Sequence, residues 1–293
     1  MTGTSVSVYA VQLLIGIAAG SLLFLIASGL TLTFGAMRIV NFAHGSLYMV
    51  GAYLTLWLTP TGGLTNANFW LVFLAAAAIV GAIGLALEIV IFRRIYRRSL
   101  LVQFLVTFSL IFIIGGILHE GFGAGTTTTS RPPAFTGSVE ILGANVPTFN
   151  FVFIAAAFLV VIALWAILNK TRIGTLIRAS VSDPVLLRLA GVNVGRVFTL
   201  VLVISSFFAG LAGAIVTLSG AVTSAMAFNT ILQAFVVVII GGLGSIRGAF
   251  VGAMLVGVAE SLGLLWIPQA SLAMVFAVLV AVLAIRPQGL FGS

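Results

Sequence analysis

A succession of continuous apolar runs fills nearly the whole sequence. Most of these runs are long enough to cross a bilayer as a helix, which takes about 20 residues. Soluble globular domains carry about 25% charged residues, whereas this chain of 293 residues carries 6% and is 61% hydrophobic. So few charges cannot cover the surface of a water-soluble fold of this length. The sequence therefore predicts a polytopic membrane protein.

The continuity of the runs also indicates the secondary structure. In hydrocarbon every backbone N–H and C=O must be paired within a helix or a closed barrel. Barrel strands would alternate apolar and polar residues, and these runs do not alternate. The sequence predicts an all-α transmembrane helix bundle with residues 1-293 in a single domain. The candidate spans are 9–35, 39–59, 69–92, 100–118, 149–169, 198–222, 230–246, 248–266 and 268–285.

Basic residues predict the orientation of the bundle, because cytoplasmic loops are enriched in Lys and Arg. We expect the segment 170–197 in the cytoplasm and the Gly-, Thr- and Pro-rich loop 119–148 outside. If 39–59 crosses fully, there are nine spans and the N-terminus is outside; if it is re-entrant, there are eight and the N-terminus is inside. The basic clusters are Arg93, Arg94, Arg97 and Arg98, and then Lys170, Arg172, Arg178, Arg188 and Arg196.

The stretch "RIVNFAHGSLYMVGAY", 38–53, interrupts the apolar sequence with polar residues. The apolar run that follows it, 47–58, is too short to span a bilayer. One interpretation is that its polar residues cap a helix at the membrane interface. The other is a discontinuous helix whose polar groups face the interior beside a substrate path, since exposure to lipid is costly. The candidate path residues are Asn41, His44, Gly45, Ser46 and Tyr48.

A second glycine-rich stretch, "IIGGLGSIRGAFVGAMLVGVAE", covers 239–260. Its small residues would let another helix approach closely, and Gly248, Gly252 and Gly257 would form one ridge. Two glycine-broken apolar segments, one in each half, also suit a transporter with discontinuous helices. The candidate packing glycines are Gly241, Gly242, Gly244, Gly248 and Gly252.

The segment 170–197 contains the signals of a short helix outside the membrane. Asp183 followed by Pro184 is a favourable N-cap and first-turn pair, and Gly191 is placed to end the helix. Between them Leu186, Leu187, Leu189 and Ala190 supply an apolar side. An exposed apolar face on a tight loop indicates a protein partner.

The sequence offers little catalytic or metal-binding chemistry. It has no cysteine, and its two histidines, His44 and His119, are far apart. It contains no H-E-x-x-H motif and no G-x-x-x-x-G-K-[ST] phosphate loop, so we expect no cofactor and no ATP hydrolysis by this chain. Its net charge of +8 lies in short loops, which is typical of membrane topology and not of nucleic-acid binding. The alternative is an ion-coupled secondary transporter, for which Glu88 and Glu260 are the intramembrane carboxylates.

Three stretches carry a family resemblance. "RASVSDPVLLRLAGVN", 178–193, resembles the cytoplasmic coupling segment of the branched-chain amino acid ABC importer permeases. "GLTLTFGAMRIVNFAHGSLYMVGAY", 29–53, resembles the N-F-A-H-G signature of the H-type subunit, and "GGLGSIRGAFVGAMLVGVAE", 241–260, is similar to a glycine-rich stretch of the same family. The chain departs from the family pattern at Leu187, where many relatives have a small residue.

The resemblance implies a permease in the bacterial inner membrane. Its expected partners are an M-type permease subunit or a second copy, two ATP-binding subunits and a substrate-binding protein. The short helix would seat in the ATPase, and the resemblance leaves open branched-chain amino acids, urea, amides or aromatic acids as substrates. The implied coupling residues are Arg178, Asp183, Pro184, Leu187, Arg188 and Gly191.

Overall fold

A computed structural model describes residues 2–60, 62–96, 98–123, 125–141 and 143–292. Arg97, one of the predicted cytoplasmic arginines, lies outside the described residues. The helices are α1 (Thr2–Met37), α2 (Ala43–Leu58), α3 (Phe69–Leu87), α4 (Arg93–Ile95), α5 (Leu100–Phe122), α6 (Phe149–Lys170), α7 (Arg172–Ser182), α8 (Pro184–Leu189), α9 (Val194–Val216), α10 (Met226–Gly241), α11 (Ile246–Trp266) and α12 (Ser271–Ile285). A π-helical turn, Glu88–Phe92, joins α3 to α4.

The predicted helical bundle is confirmed, and seven of its helical segments are long and apolar enough to cross a membrane within the described residues. The other two predicted spans are α2 and α10, of 16 residues each. A helix of this length is about 24 Å long, shorter than the hydrocarbon core of about 30 Å. The spanning segments are Ser7–Met37, Phe69–Ile95, Leu100–Phe122, Phe149–Lys170, Val194–Val216, Ile246–Trp266 and Pro268–Ile285.

The bundle has two chemically different ends. At one end, here called the basic end, α6 runs into α7 at Lys170 and Arg172, and Arg38 lines a cleft with Ser182. At the opposite end, here called the loop end, Arg131 is the one lysine or arginine among the described residues. This distribution of charge agrees with the predicted orientation, with the basic end in the cytoplasm.

The loop end is built by the connections that follow α2, α5 and α9. Residues 123–148 contain a short antiparallel hairpin, β1 (Ser138–Ile141) and β2 (Ala144–Pro147). Thr127 pairs with Val222, and the Ser130 hydroxyl accepts from the backbone N–H of Leu64 at 3.3 Å. These contacts hold three loops together over the end of α2.

The N-terminal part of α1 also lies at the loop end. The indole N–H of Trp266, at the end of α11, donates to the Tyr9 hydroxyl at 3.4 Å. Gln12 donates to the Ser261 carbonyl oxygen at 2.6 Å. Because α2 also ends at the loop end, the chain runs from this end to the basic end in α1 and returns in 38–58. Within the described residues this path of the chain matches the nine-segment alternative, for which the prediction is an N-terminus outside.

Close packing of α1 against α11 forms the centre of the bundle. A Cβ atom at Gly20 would lie 2.6 Å from the Ala253 carbonyl oxygen, and one at Gly16 would lie 2.8 Å from the Val258 Cα. Glycine therefore permits a backbone approach that a larger residue would prevent. This tight pair fixes α1 as the scaffold against which α2 and α9 are placed.

Candidate translocation path and coupling site

The return from α1 to α2 takes place inside the bundle. Arg38 follows α1 with φ of 54°, a conformation that turns the chain sharply. Residues 38–42 then lead inward to α2. The His44 Nε2 atom lies 3.0 Å from the Ile26 carbonyl oxygen, and Ile26 is about 16 Å along α1 from its end at Met37. The first turn of α2 therefore lies near the middle of the membrane, which is where the discontinuous-helix hypothesis puts it.

A group of buried polar side chains surrounds this first turn. Asn41 is 1% exposed, and His44 and Ser46 are fully buried. Neither polar atom of the Asn41 amide has a hydrogen-bond partner among the described residues. The same holds for side-chain oxygens of Thr31, Ser46, Ser205 and Ser206, and for the Tyr53 hydroxyl, which lies further along α2. Unpaired polar groups are rare in protein interiors, and each one indicates strain or a functional role.

Two further predicted path residues bring α2 against α9 and α10. A Cβ atom at Gly45 would overlap the Ala227 carbonyl oxygen of α10 and would lie 2.8 Å from the Ile231 Cβ. The Tyr48 carbonyl blocks any side chain at Gly213 of α9. The structure thus brings all five predicted path residues to the junction of α2 with its neighbouring helices.

Helix α9 contributes to this junction, although none of the predicted path residues lies on it. Ser205 and Ser206 are buried, with the Ser205 carbonyl against Gly29 of α1 and the Ser206 hydroxyl against Gly84 of α3. A Cβ atom at Gly29 would lie 2.7 Å from both the His44 Cε1 and the Ser205 carbonyl oxygen. Two adjacent serines inside an apolar run could have indicated this site in the sequence. Like Asn41 and His44, they are polar residues within an otherwise apolar segment.

The predicted packing glycines divide between two helix contacts and one turn. A side chain at Gly248 would overlap the Gly241 carbonyl oxygen, and a Cβ atom at Gly252 would lie 2.8 Å from the Val237 carbonyl oxygen. Both contacts join α11 to α10. Gly242 and Gly244 form the turn between these helices with φ of 96° and 86°, which favours glycine.

The single ridge predicted from Gly248, Gly252 and Gly257 is wrong. Gly257 packs on Gly16 and Gly20 of α1, and the other two pack on α10. The reason is geometric: five residues along a helix of 3.6 residues per turn rotate the side chain away from the first face. The glycines therefore serve two neighbouring helices.

The predicted helix outside the membrane is α8, at the basic end. The Asp183 Oδ1 atom accepts from the backbone N–H groups of Val185 and Leu186, both at 2.9 Å. After the helix, the N–H of Gly191 donates to the Arg188 carbonyl at 3.0 Å and the N–H of Val192 to the Leu187 carbonyl at 3.2 Å. This pair of bonds, with φ of 81° at Gly191, is the Schellman motif. Both ends of α8 are therefore fixed by side-chain or glycine caps.

The apolar surface of α8 differs from the predicted one at Leu187. Its side chain is 9% exposed and turns towards the protein, whereas Val185, Leu186 and Leu189 are 61%, 63% and 80% exposed. One side of α8 packs on the bundle, and Leu187 lies on that side. Arg188 of α8 is exposed, and so is Arg178 of α7. The surface open to a partner is thus formed by Val185, Leu186 and Leu189, here called the α8 patch.

An ion pair between a buried carboxylate and a half-exposed arginine lies next to α8. Glu88, in the π-helical turn, is fully buried and its carboxylate lies 2.9 Å from the Arg93 Nε atom. The Tyr96 hydroxyl donates to Glu88 at 2.9 Å, and Arg93 donates to the Thr199 hydroxyl of α9 at 3.0 Å. Burial, together with the nearby Glu88 carboxylate, raises the pKa of Tyr96, so its hydroxyl stays protonated and remains a donor.

This network borders an open cleft that separates the end of α4 from the turn after α8. The cleft has a volume of about 810 Å³ and is lined by Arg93, Tyr96, Arg188 and Gly191, among others. Glu88 is one of the two predicted intramembrane carboxylates, but its pairing with Arg93 was not predicted from the sequence.

An apolar bundle with a polar break at mid-depth and one capped helix outside the membrane defines a subunit of a membrane transporter. The family described as "Branched-chain amino acid transport system / permease component" matches residues 12–284. The chain belongs to this family of ABC importer permeases. No solved structure is a significant match to the chain.

Curated relatives are similar over nearly the full length. The chain is 29% identical to the "High-affinity branched-chain amino acid transport system permease protein LivH" of Salmonella typhimurium, over 96% of this chain and 94% of the relative. It is 29% identical to BraD of Pseudomonas aeruginosa, described in the same words, over 97% and 96%. A probable LivH of Methanocaldococcus jannaschii is 31% identical over 83% and 77%.

Family membership decides several of the predictions. The protein is a multi-pass permease of the inner membrane that works with ATPase and substrate-binding partners, and it is a transport subunit, not an enzyme. The alternative of an ion-coupled secondary transporter is wrong, because the family consists of ABC permeases. The resemblance read from the three sequence stretches is confirmed.

Proposed function

We propose that residues 1-293 form one permease domain that imports branched-chain amino acids. It would act with a second permease subunit, of the M type or a second copy, two ATP-binding subunits and a substrate-binding protein. The relatives that support this substrate are named for branched-chain amino acid transport. The observation that carries the proposal is α8, a capped helix outside the membrane with an exposed apolar patch.

In this proposal the ATPase binds the α8 patch, and Arg178 and Arg188 pair with acidic residues at its rim. Asp183, Pro184 and Gly191 set the two ends of α8, and Leu187 anchors it to the bundle. ATPase closure would then move α8 as a lever and switch the bundle between inward- and outward-facing states. Exposed ion pairs contribute little individually, so most of the affinity would come from Val185, Leu186 and Leu189.

The substrate path in this proposal passes the mid-depth junction of α2, with Asn41, His44, Gly45, Ser46 and Tyr48 on its wall. Unpaired buried polar atoms on Asn41 and Ser46 support this assignment. They could exchange hydrogen bonds with a passing substrate without first breaking bonds inside the protein. His44 would hold the first turn of α2 to α1 through the Ile26 carbonyl.

Leucine uptake into vesicles that contain the reconstituted complex tests both parts. His44→Leu removes the bond to Ile26 and keeps an apolar side chain, so uptake should fall while the ATPase still co-purifies. Gly45→Val should lower uptake further, because its side chain would overlap the Ala227 carbonyl. Gly121→Ala is the matched control, since a Cβ atom there meets nothing within 4 Å. Wild-type uptake by both path variants would refute the path assignment.

A further inference from the structure

The open cleft between the end of α4 and the turn after α8 is lined by positive charge. Its volume is about 810 Å³, and Arg93 and Arg188 line it. Among the described residues no Asp or Glu lines it. Arg94 and Arg196, each next to a lining residue in the chain, are exposed as well. This cleft, here called the basic cleft, therefore attracts anions.

The two lining arginines have donors to spare. The Arg93 Nε atom lies 2.9 Å from the Glu88 carboxylate, and one terminal nitrogen donates to the Thr199 hydroxyl at 3.0 Å. The other terminal nitrogen, Nη1, makes no hydrogen bond with the described residues. Arg188 makes neither an ion pair nor a hydrogen bond with them. Guanidinium groups suit phosphate oxygens through their N–H donors, and Arg93 is already held in place to do so.

The first turn of α9 adds backbone donors to the basic cleft. This helix begins at Val194 and runs for 23 residues, and both Val194 and Gly195 line the cleft. The first N–H groups of a helix have no partner inside it, and the Asn193 side chain accepts from that of Arg196. A helix amino terminus also favours negative charge. The cleft thus combines guanidinium and backbone donors around one space.

The depth of the basic cleft indicates a lipid as the source of the anion. Arg93 lies in the last turn of the span Phe69–Ile95, and the span Val194–Val216 begins in the cleft wall. Both spans therefore end at the cleft, where hydrocarbon gives way to headgroups. About one turn deeper, Ile89 and Val90 are 48% and 53% exposed. Their apolar surface suits an acyl chain.

We propose that the basic cleft binds the phosphate of an anionic phospholipid from the membrane leaflet at the basic end. Arg93 Nη1, the Arg188 guanidinium and the first N–H groups of α9 donate to the phosphate oxygens. Basic pockets between membrane helices have the charge and the depth that such headgroups need. Phosphatidylcholine would bring its own cation against the two arginines, so the cleft favours a headgroup without one. This assignment does not depend on which substrate the permease imports.

Photolabelling of the assembled complex tests this inference. Complexes in phosphatidylcholine nanodiscs receive a sub-saturating amount of phosphatidylglycerol that carries a diazirine in one acyl chain. After irradiation, adducts should concentrate within 88–96 and 194–200, and excess unlabelled phosphatidylglycerol should displace them. The exposed apolar side of α6 measures contact with bulk lipid, and its labelling should stay nearly constant. That side includes Phe158, Leu159 and Ile162, which are 54%, 61% and 60% exposed.

Substitutions at Gly195 separate charge from shape. Gly195→Glu places a carboxylate in the cleft without removing an arginine, and a negative charge in the first turn does not weaken a helix. One charge near a membrane surface changes binding about fivefold, so the displaceable adduct should fall about fivefold. Gly195→Gln is the matched control of the same size and should keep the wild-type adduct. Both bring a Cβ atom 3.1 Å from the Asn193 Oδ1 atom. Arg188 stays unchanged because the proposed ATPase contact also uses it.

Four results would overturn the inference. The same local labelling from a phosphatidylcholine probe would mean that the cleft does not select an anionic headgroup. Displacement of the adduct by sodium phosphate would assign the cleft to a soluble anion. Labelling that appears only after the ATPase subunits are removed would mean that the ATPase covers the cleft. A wild-type level of adduct in Gly195→Glu would show that the charge of the cleft does not hold the lipid.

Discussion

Replacing Asp183 with Ala removes the one side chain that caps the start of α8. Its Oδ1 atom accepts two backbone N–H groups at 2.9 Å, and such a cap contributes about 1 kcal/mol. The six residues of α8 are too few for a helix that is stable without help. Nearly all of this lost capping free energy should therefore appear as weaker ATPase binding. At 1.4 kcal/mol per tenfold change, the dissociation constant should rise by up to about fivefold.

Titration of the ATPase subunit against the permease complex in lipid nanodiscs measures this change. Asp183→Asn is the control, because asparagine caps helices about as well as aspartate, and its dissociation constant should stay within about twofold of the wild type. If Asp183→Ala binds the ATPase like the wild type, the capping argument is wrong. If Asp183→Asn is as weak as Asp183→Ala, the charge of Asp183 matters and its cap does not.

Three further predictions concern surface, topology and packing. Leu189→Asp should weaken ATPase binding without lowering thermal stability, because Leu189 is 80% exposed. Leu187→Asp should instead lower the melting temperature, because Leu187 is 9% exposed. The opposite pattern would mean that Leu187 forms the docking surface. Single cysteines at Thr128 and Ser182, in a chain without native cysteine, should react with an impermeant maleimide from opposite sides of the membrane, and labelling from one side would contradict the orientation. Gly248→Val should greatly reduce the yield of folded protein, since its side chain would overlap the Gly241 carbonyl, and a normal yield would show that the α10–α11 contact can adjust.

The sequence predicted the helical bundle because each span must satisfy its own backbone in hydrocarbon. It also predicted α8, because Asp183 and Gly191 act locally through hydrogen bonds to their near neighbours. The short apolar run 47–58 correctly indicated that α2 is a discontinuous helix, shorter than a membrane span. These features depend on residues close together in the chain, which is why a single sequence reveals them.

Features that depend on distant contacts were missed. The sequence does not show that Leu187 turns inward, because that depends on how α8 packs on the bundle. It does not show that Gly252 packs on α10 and Gly257 on α1, because these two helices approach α11 from different sides. The pairing of Glu88 with Arg93 requires the π-helical turn between them, and no residue in 88–92 predicts such a turn.

Two helices of this protein begin in the interior of the bundle, and their electrostatics follow from that position. The first turns of α2 and α10 contact each other at Gly45 and Ala227, and neither Phe42 nor Ala225 supplies a side-chain cap. Each helix amino terminus carries the equivalent of about half a positive charge. Two such termini at one place create a positive potential inside hydrocarbon from the backbone alone. A carboxylate can therefore be favoured at mid-depth, although every arginine that the structure describes lies at an end of the bundle.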